Sequence, residues 1–202
     1  MKKFSKNRSG DTIVEVILSF AIFTLVSLGT YGVINMSLST TRESLNISIV
    51  RNLVDSQATS LRFIQNAYIA TYSPGTDSDN EPAKQWKLLT DYIKSKNPRG
   101  NITDFNSKTT TSCPDIPNSS FIMNPKKSSF IPYSDGFMKK STGVADLVFD
   151  ESDNMTSYGV WIEADRSSTR PAFIDFYIRA CWSGSESNPN IIGTIVRLYD
   201  TE

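Results

Sequence analysis

From Ile13 to Met36 the chain reads IVEVILSFAIFTLVSLGTYGVINM, an apolar run in which Glu15 is the one formal charge. A helix of that length spans about 36 Å, enough to cross a hydrocarbon core of about 30 Å. The helical period then continues: Ile47, Val50, Val54, Ala58, Leu61, Ile64 and Tyr68 recur at spacings of three and four. Arg42, Glu43, Arg51, Asp55 and Arg62 take the other faces, which makes this half amphipathic. The first breaker is Ser73-Pro74-Gly75, so the pattern predicts one helix over residues 11–72, membrane-spanning over 13–36. Gly29 and Gly32 weaken it, by about 1 kcal/mol each relative to alanine. Local unwinding and close helix packing at small residues are both open there.

Residues 73–120 are rich in Ser, Pro, Asp, Asn, Gly and Thr and read as loops around one helical island, EPAKQWKLLTDYIKSKN. Pro82 suits its first turn, Trp86, Leu89 and Ile93 share a face, and Asn97-Pro98-Arg99-Gly100 ends it. This island is expected to pack beside a sheet. Further on the period becomes two, with strands predicted at 158–164, 172–182 and 191–199. Their short links imply an antiparallel meander. In the middle strand Ile174, Phe176, Ile178, Ala180 and Trp182 form the face expected to rest on the long helix. Asp175, Tyr177, Arg179 and Cys181 form the face expected to meet solvent. Segments 120–123 and 145–149 are read as edge strands. The fold class expected is α+β: a leader at 1–10, a helical spine at 11–72, and a head at 73–202 containing a short helix and an antiparallel sheet.

Composition narrows the function. The 202 residues fit one domain with an appendage. Lys plus Arg equals Asp plus Glu at 21 each, but Lys2, Lys3, Lys6 and Arg8 precede Gly10 without an acid among them, so the remainder is mildly acidic. Such a balance argues against a nucleic-acid binder held by phosphate contacts. The basic leader keeps the first end of the span in the cytoplasm and sends the rest across. A cleaved secretory signal wants a shorter apolar run, about 7 to 15 residues. Histidine is absent, which removes the commonest general base and most zinc sites.

A short basic leader ending in Gly10, then Thr-Ile-Val and Glu15 fifth after that glycine, resembles the prepilin signal of type IV pilins and secretion pseudopilins. The resemblance covers residues 2 to about 40. It implies a pilin-like fold and a cut by the prepilin peptidase between Gly10 and Asp11, with methylation of the new amino terminus. It departs from the family at Asp11, where an apolar residue is usual. It also implies a partner for Glu15. A lone carboxylate in hydrocarbon is costly and marks a functional site, and in this family it meets the α-amino group of the next subunit, here that of Asp11. The competing account is that Glu15 reaches the headgroups from near the helix end.

Cys113 and Cys181 lie on the extracytoplasmic side and are expected to pair as a disulfide, worth roughly 4 kcal/mol in the chain-entropy model. Two separate small hydrophobes, with Cys181 half-buried under a loop, are the other reading. Asp150 to Asn154 is acidic but lacks the glycine and final glutamate of a calcium loop, and so reads as a solvated turn. Lys126, Lys127, Lys139 and Lys140 read as solubilising rather than DNA-binding, and the Asn-x-Ser/Thr triplets at Asn46, Asn101, Asn118 and Asn154 carry little weight. No cofactor or metal is expected and no enzyme. The expected partners are the membrane, the peptidase, other pilin subunits and the assembly machinery, with DNA or a host surface unsupported. The function expected is a filament subunit, in a minor position because the head is long and loop-rich. The alternative is a permanently anchored binding or sensor module that keeps its leader.

Overall fold

The computed structural model describes residues 11–71, 80–96, 102, 112–167, 172–183 and 188–199. The predicted leader and the breakers at 73–75 and 97–100 lie outside them. Helix α1 covers Asp11–Thr71 and α2 covers Glu81–Lys96. The chain divides into two compact units, one ending at Asn46 and the other beginning at Ile47. In the first unit α1 passes unbroken through Gly29 and Gly32, and an added Cβ would meet nothing within 4 Å at either.

The second unit is built on a five-stranded antiparallel sheet in the order β2-β1-β6-β7-β8. Its strands are β1 (Phe121–Asn124), β2 (Ser129–Pro132), β6 (Val160–Arg166), β7 (Phe173–Ser183) and β8 (Pro189–Tyr199). A second sheet, ordered β3-β5-β4, contains β3 (Met138–Lys139), β4 (Asp146–Phe149) and β5 (Met155–Tyr158). The meander β6-β7-β8 follows the period-two reading. The segment at 120–123 differs from its reading as an edge strand: β1 lies inside the main sheet between β2 and β6, with all four of its residues buried. The segment at 145–149 belongs to the small sheet, where β5 also takes a parallel partner, β3.

The predicted strand over 158–164 is split at Gly159. There φ is +73°, and a Cβ would stand 2.3 Å from the Cys181 carbonyl oxygen and 2.8 Å from Ser141 Cβ. Glycine alone tolerates both constraints. Its N–H donates to Lys139 O (2.7 Å) and its carbonyl accepts from Cys181 N (2.8 Å), so this residue ties the small sheet to the large one.

Val50, Val54, Ala58, Leu61 and Ile64 of α1 are buried, at the spacings their periodicity predicts. They share one core with Ile162, Ile174, Phe176 and Ile178 of the sheet. From α2, Trp86 packs against Phe176 with ring centroids 6.1 Å apart, and Tyr92 meets Phe121 edge-on at 6.4 Å. Tyr92 also donates its hydroxyl to Ser120 O (3.1 Å), and burial pushes its phenol above the usual range.

Polar residues fix where α1 sits on the sheet. The ladder between β1 and β6 contains one pair, Phe121 with Ile162. Two residues on, Met123 takes its partners from a side chain instead: Gln57 Nε2 donates to Met123 O (2.8 Å) and Gln57 Oε1 accepts from Met123 N (2.7 Å). Gln57 is fully buried, so its amide replaces a missing strand. Gln65 donates to Tyr199 O at the end of β8 (2.8 Å), a second pin on the same helix.

Two substitutions test these constraints. Gln57→Leu strands both Met123 main-chain groups and should lower unfolding free energy in urea by about 2 to 4 kcal/mol. Gly159→Ala should cost more than about 2 kcal/mol in the same measurement, from positive φ and steric conflict together.

Candidate functional site

The predicted site residues fall in two places: the first turns of α1, and the outer side of the sheet at Cys181. Gly10 lies outside the described residues, and Asp11 is described only as the first residue of α1. From Ile13 to Leu38 the large hydrophobic side chains are between 50% and 75% exposed. A soluble surface does not carry that much contiguous apolar area, so this stretch needs lipid or protein around it. Several hydroxyls in this half of the helix, and just beyond the stretch, bond back to carbonyls of their own helix. Ser19 donates to Glu15 O (2.7 Å), Thr24 to Ala21 O (2.9 Å), Thr30 to Val26 O (2.8 Å), Thr40 to Met36 O (3.0 Å) and Thr41 to Ser37 O (2.8 Å). That is what a medium without water demands. Glu15 differs from them: its carboxylate is exposed and makes no hydrogen bond or ion pair with the described residues. The helix is long and apolar enough to span a membrane.

Cys113 and Cys181 form a disulfide, with Cα atoms 5.7 Å apart and a separation of 68 residues. The parity reading of β7 placed Cys181 toward solvent, yet it is fully buried. The bridge is the reason: it draws the Cys113 segment over this side, and Lys140 Nζ holds Asp115 at 2.6 Å beside it.

The same side of the sheet carries a buried charge that sequence reasoning missed. Glu163 has no exposed surface and accepts from Trp161 Nε1 (2.9 Å) and from Arg179 (3.1 Å). Trp161 stands directly opposite Arg179 in the β6–β7 register, so β pairing assembles the cluster. The signal was legible as alternation in Val160–Arg166, which puts Trp161, Glu163 and Asp165 on one side. Asp165 faces Asp175 across the same ladder, and Arg197 offsets that repulsion by gripping Asp175 with two bonds of 2.7 Å. Arg197 also stacks on Phe173, its guanidinium 4.0 Å from the ring centroid. The bond to Asp175 raises the Arg197 pKa, against the opposing pull of desolvation.

The acidic turn and the lysines are paired among themselves. Asp150 accepts from Asn154 Nδ2 (3.0 Å), Asn154 N (2.8 Å) and Ser152 N (2.8 Å). The Asn154 side chain leads in holding the Asp150 carboxyl below its ordinary range, followed by the Asn154 amide. This turn therefore stabilises the fold above the unfolded carboxylate pKa and loses that contribution as pH falls. Lys126 pairs with Asp153, Lys127 donates to Asn154 (3.0 Å), and Lys139 lies 5.8 Å from the Tyr158 ring centroid. Among the described residues no group of three His, Cys, Asp or Glu side chains is placed to hold a metal.

No family model, no curated protein and no solved structure matches this chain.

Removing the bridge with Cys113→Ala and Cys181→Ala together should lower stability by about 4 kcal/mol, read from urea unfolding of the full chain. Glu163→Ala removes the buried carboxylate that accepts from Trp161 and Arg179 and should cost about 3 to 5 kcal/mol in the same assay.

Proposed function

We propose that this chain is a structural subunit of a type IV pilus or related filament. It is made as a membrane-anchored prepilin, cut after Gly10 by the prepilin peptidase, and assembled through the apolar half of α1. The observation that carries this reading is Glu15: a carboxylate fifth after Gly10 with no partner among the described residues, on a helix whose apolar side chains are exposed throughout the span.

In the bilayer the apolar half of α1 is solvated by lipid. When the subunit leaves for a filament, that surface must be covered by other helices of the same kind, because water cannot replace lipid there. Glu15 then needs a cation, and the α-amino group of a neighbouring subunit's Asp11 is the one that processing creates. Losing one member of such a buried pair costs about 3 to 5 kcal/mol. Its main effect is on register, since a single charge pair in an apolar bundle is satisfied at one axial offset. The second half of α1 carries the head, whose extent beyond the helix favours a minor position among other pilin subunits and the assembly machinery.

Intact mass should find the chain without residues 1–10 in filaments and with them in a peptidase-deficient membrane. Filaments that hold it with Met1 attached, or never hold it, would overturn the reading. Glu15→Gln should insert and be cut normally yet enter filaments at least about tenfold less, measured as copy number against other subunits.

A further inference from the structure

The two edges of the main sheet are protected very differently. β2 has four residues, ends on Pro132 and has α2 beside it. β8 has eleven residues and one charge, Arg197, which is already bound to Asp175. Natural sheets blunt long edges with free lysines, prolines, bulges or a covering element. Pro189, at the very start of β8, is its one such residue.

The direction of the β8 amides follows from the neighbouring ladder. Cys181 N–H bonds Gly159 O, and Phe173 O accepts from Ser167 N, so both residues of β7 direct their main-chain groups toward β6. Their partners across the ladder, Ile191 and Tyr199, therefore point their own groups away from β7. The period of two extends this to Gly193, Ile195 and Arg197. Gln65 takes Tyr199 O, which closes that end. Among the described residues nothing pairs with the outward groups of Ile191, Gly193, Ile195 and Arg197. Ile191 and Ile195 stand on the outer face, 40% and 59% exposed, and flank Gly193, which offers no side chain to obstruct an approaching backbone.

We propose that β8 is a receiving edge: an uncharged, extended segment of another polypeptide adds to it as a sixth strand. Such a segment has apolar side chains at alternate positions to cover Ile191 and Ile195. The free amides set the class of partner, because groups repeating along an edge are met in register by an extended backbone. The neutrality of the edge sets its charge. A second copy of this chain is the competing occupant, and the experiment below separates the two. The proposal goes beyond the filament reading and does not depend on it.

The test uses the full, uncut chain in bicelles with a blocked octapeptide of alternating Thr and Val as the probe. Amide exchange by NMR should slow by about tenfold or more at Ile191, Gly193, Ile195 and Arg197 when the peptide is added, and stay unchanged at Ile192, Thr194 and Val196, which already bond β7. A peptide N-methylated on alternate residues should give no protection. Ile195→Pro, tolerated on an edge because its N–H points outward, should abolish the effect while β7 amides remain protected. Absence of protection, protection that does not alternate, or binding that survives Ile195→Pro would overturn the proposal. So would concentration-dependent protection of the same four amides without peptide, which would assign the edge to a second copy. Cleavage and filament entry play no part in these readouts, so their failure is separable.

Discussion

The second unit depends on one buried amide. Gln57 sits in the middle of an otherwise apolar seam and completes the main-chain bonding of Met123, where the β1–β6 ladder stops. Apolar packing is not directional: Val50, Val54, Ala58, Leu61 and Ile64 accept small slides along a sheet at modest cost. A fully buried amide does not, because a shift of one residue leaves two main-chain groups and two side-chain groups unpaired. Gln57 therefore converts an adhesive stripe into a register, and Gln65 at Tyr199 O repeats the device at the far edge of the sheet.

A second constraint acts on the opposite side of the sheet. Gly159 passes the chain from β5 to β6 with a conformation other residues avoid, and its carbonyl accepts from Cys181, the residue bridged to Cys113. The disulfide, the glycine and the Trp161–Glu163–Arg179 cluster occupy neighbouring positions on β6 and β7. Together they bury a side that alternation alone would leave wet. In a head of this size, with many loop residues, a crosslink compensates for a modest apolar core.

The two halves of α1 solve different solvation problems with one secondary structure. Between Ile13 and Leu38 the apolar side chains surround the helix, and the hydroxyls of Ser19, Thr24 and Thr30 bond back to carbonyls of the same helix. From Val50 onward the apolar positions narrow to a stripe that the sheet and α2 cover. Glu15 is the exception in the first half. Its carboxylate is exposed and makes no hydrogen bond or ion pair with the described residues.

The sequence by itself determined the elements whose periodicity is long or clean. These are α1 and its apolar segment, the α2 face of Trp86, Leu89 and Ile93, and the β6–β7–β8 meander. Short strands such as β2 and β3 were not legible, because two to four residues carry too little pattern to outvote their turns. The tertiary structure decided that β1 lies inside the sheet, that Cys181 and Glu163 are buried, and that Gln57 stands in for a strand. The physical reason is common to all of them. Local pattern reports which side of an element is apolar, whereas burial of polar groups and the order of strands depend on contacts between residues far apart in the chain, such as Gln57 with Met123.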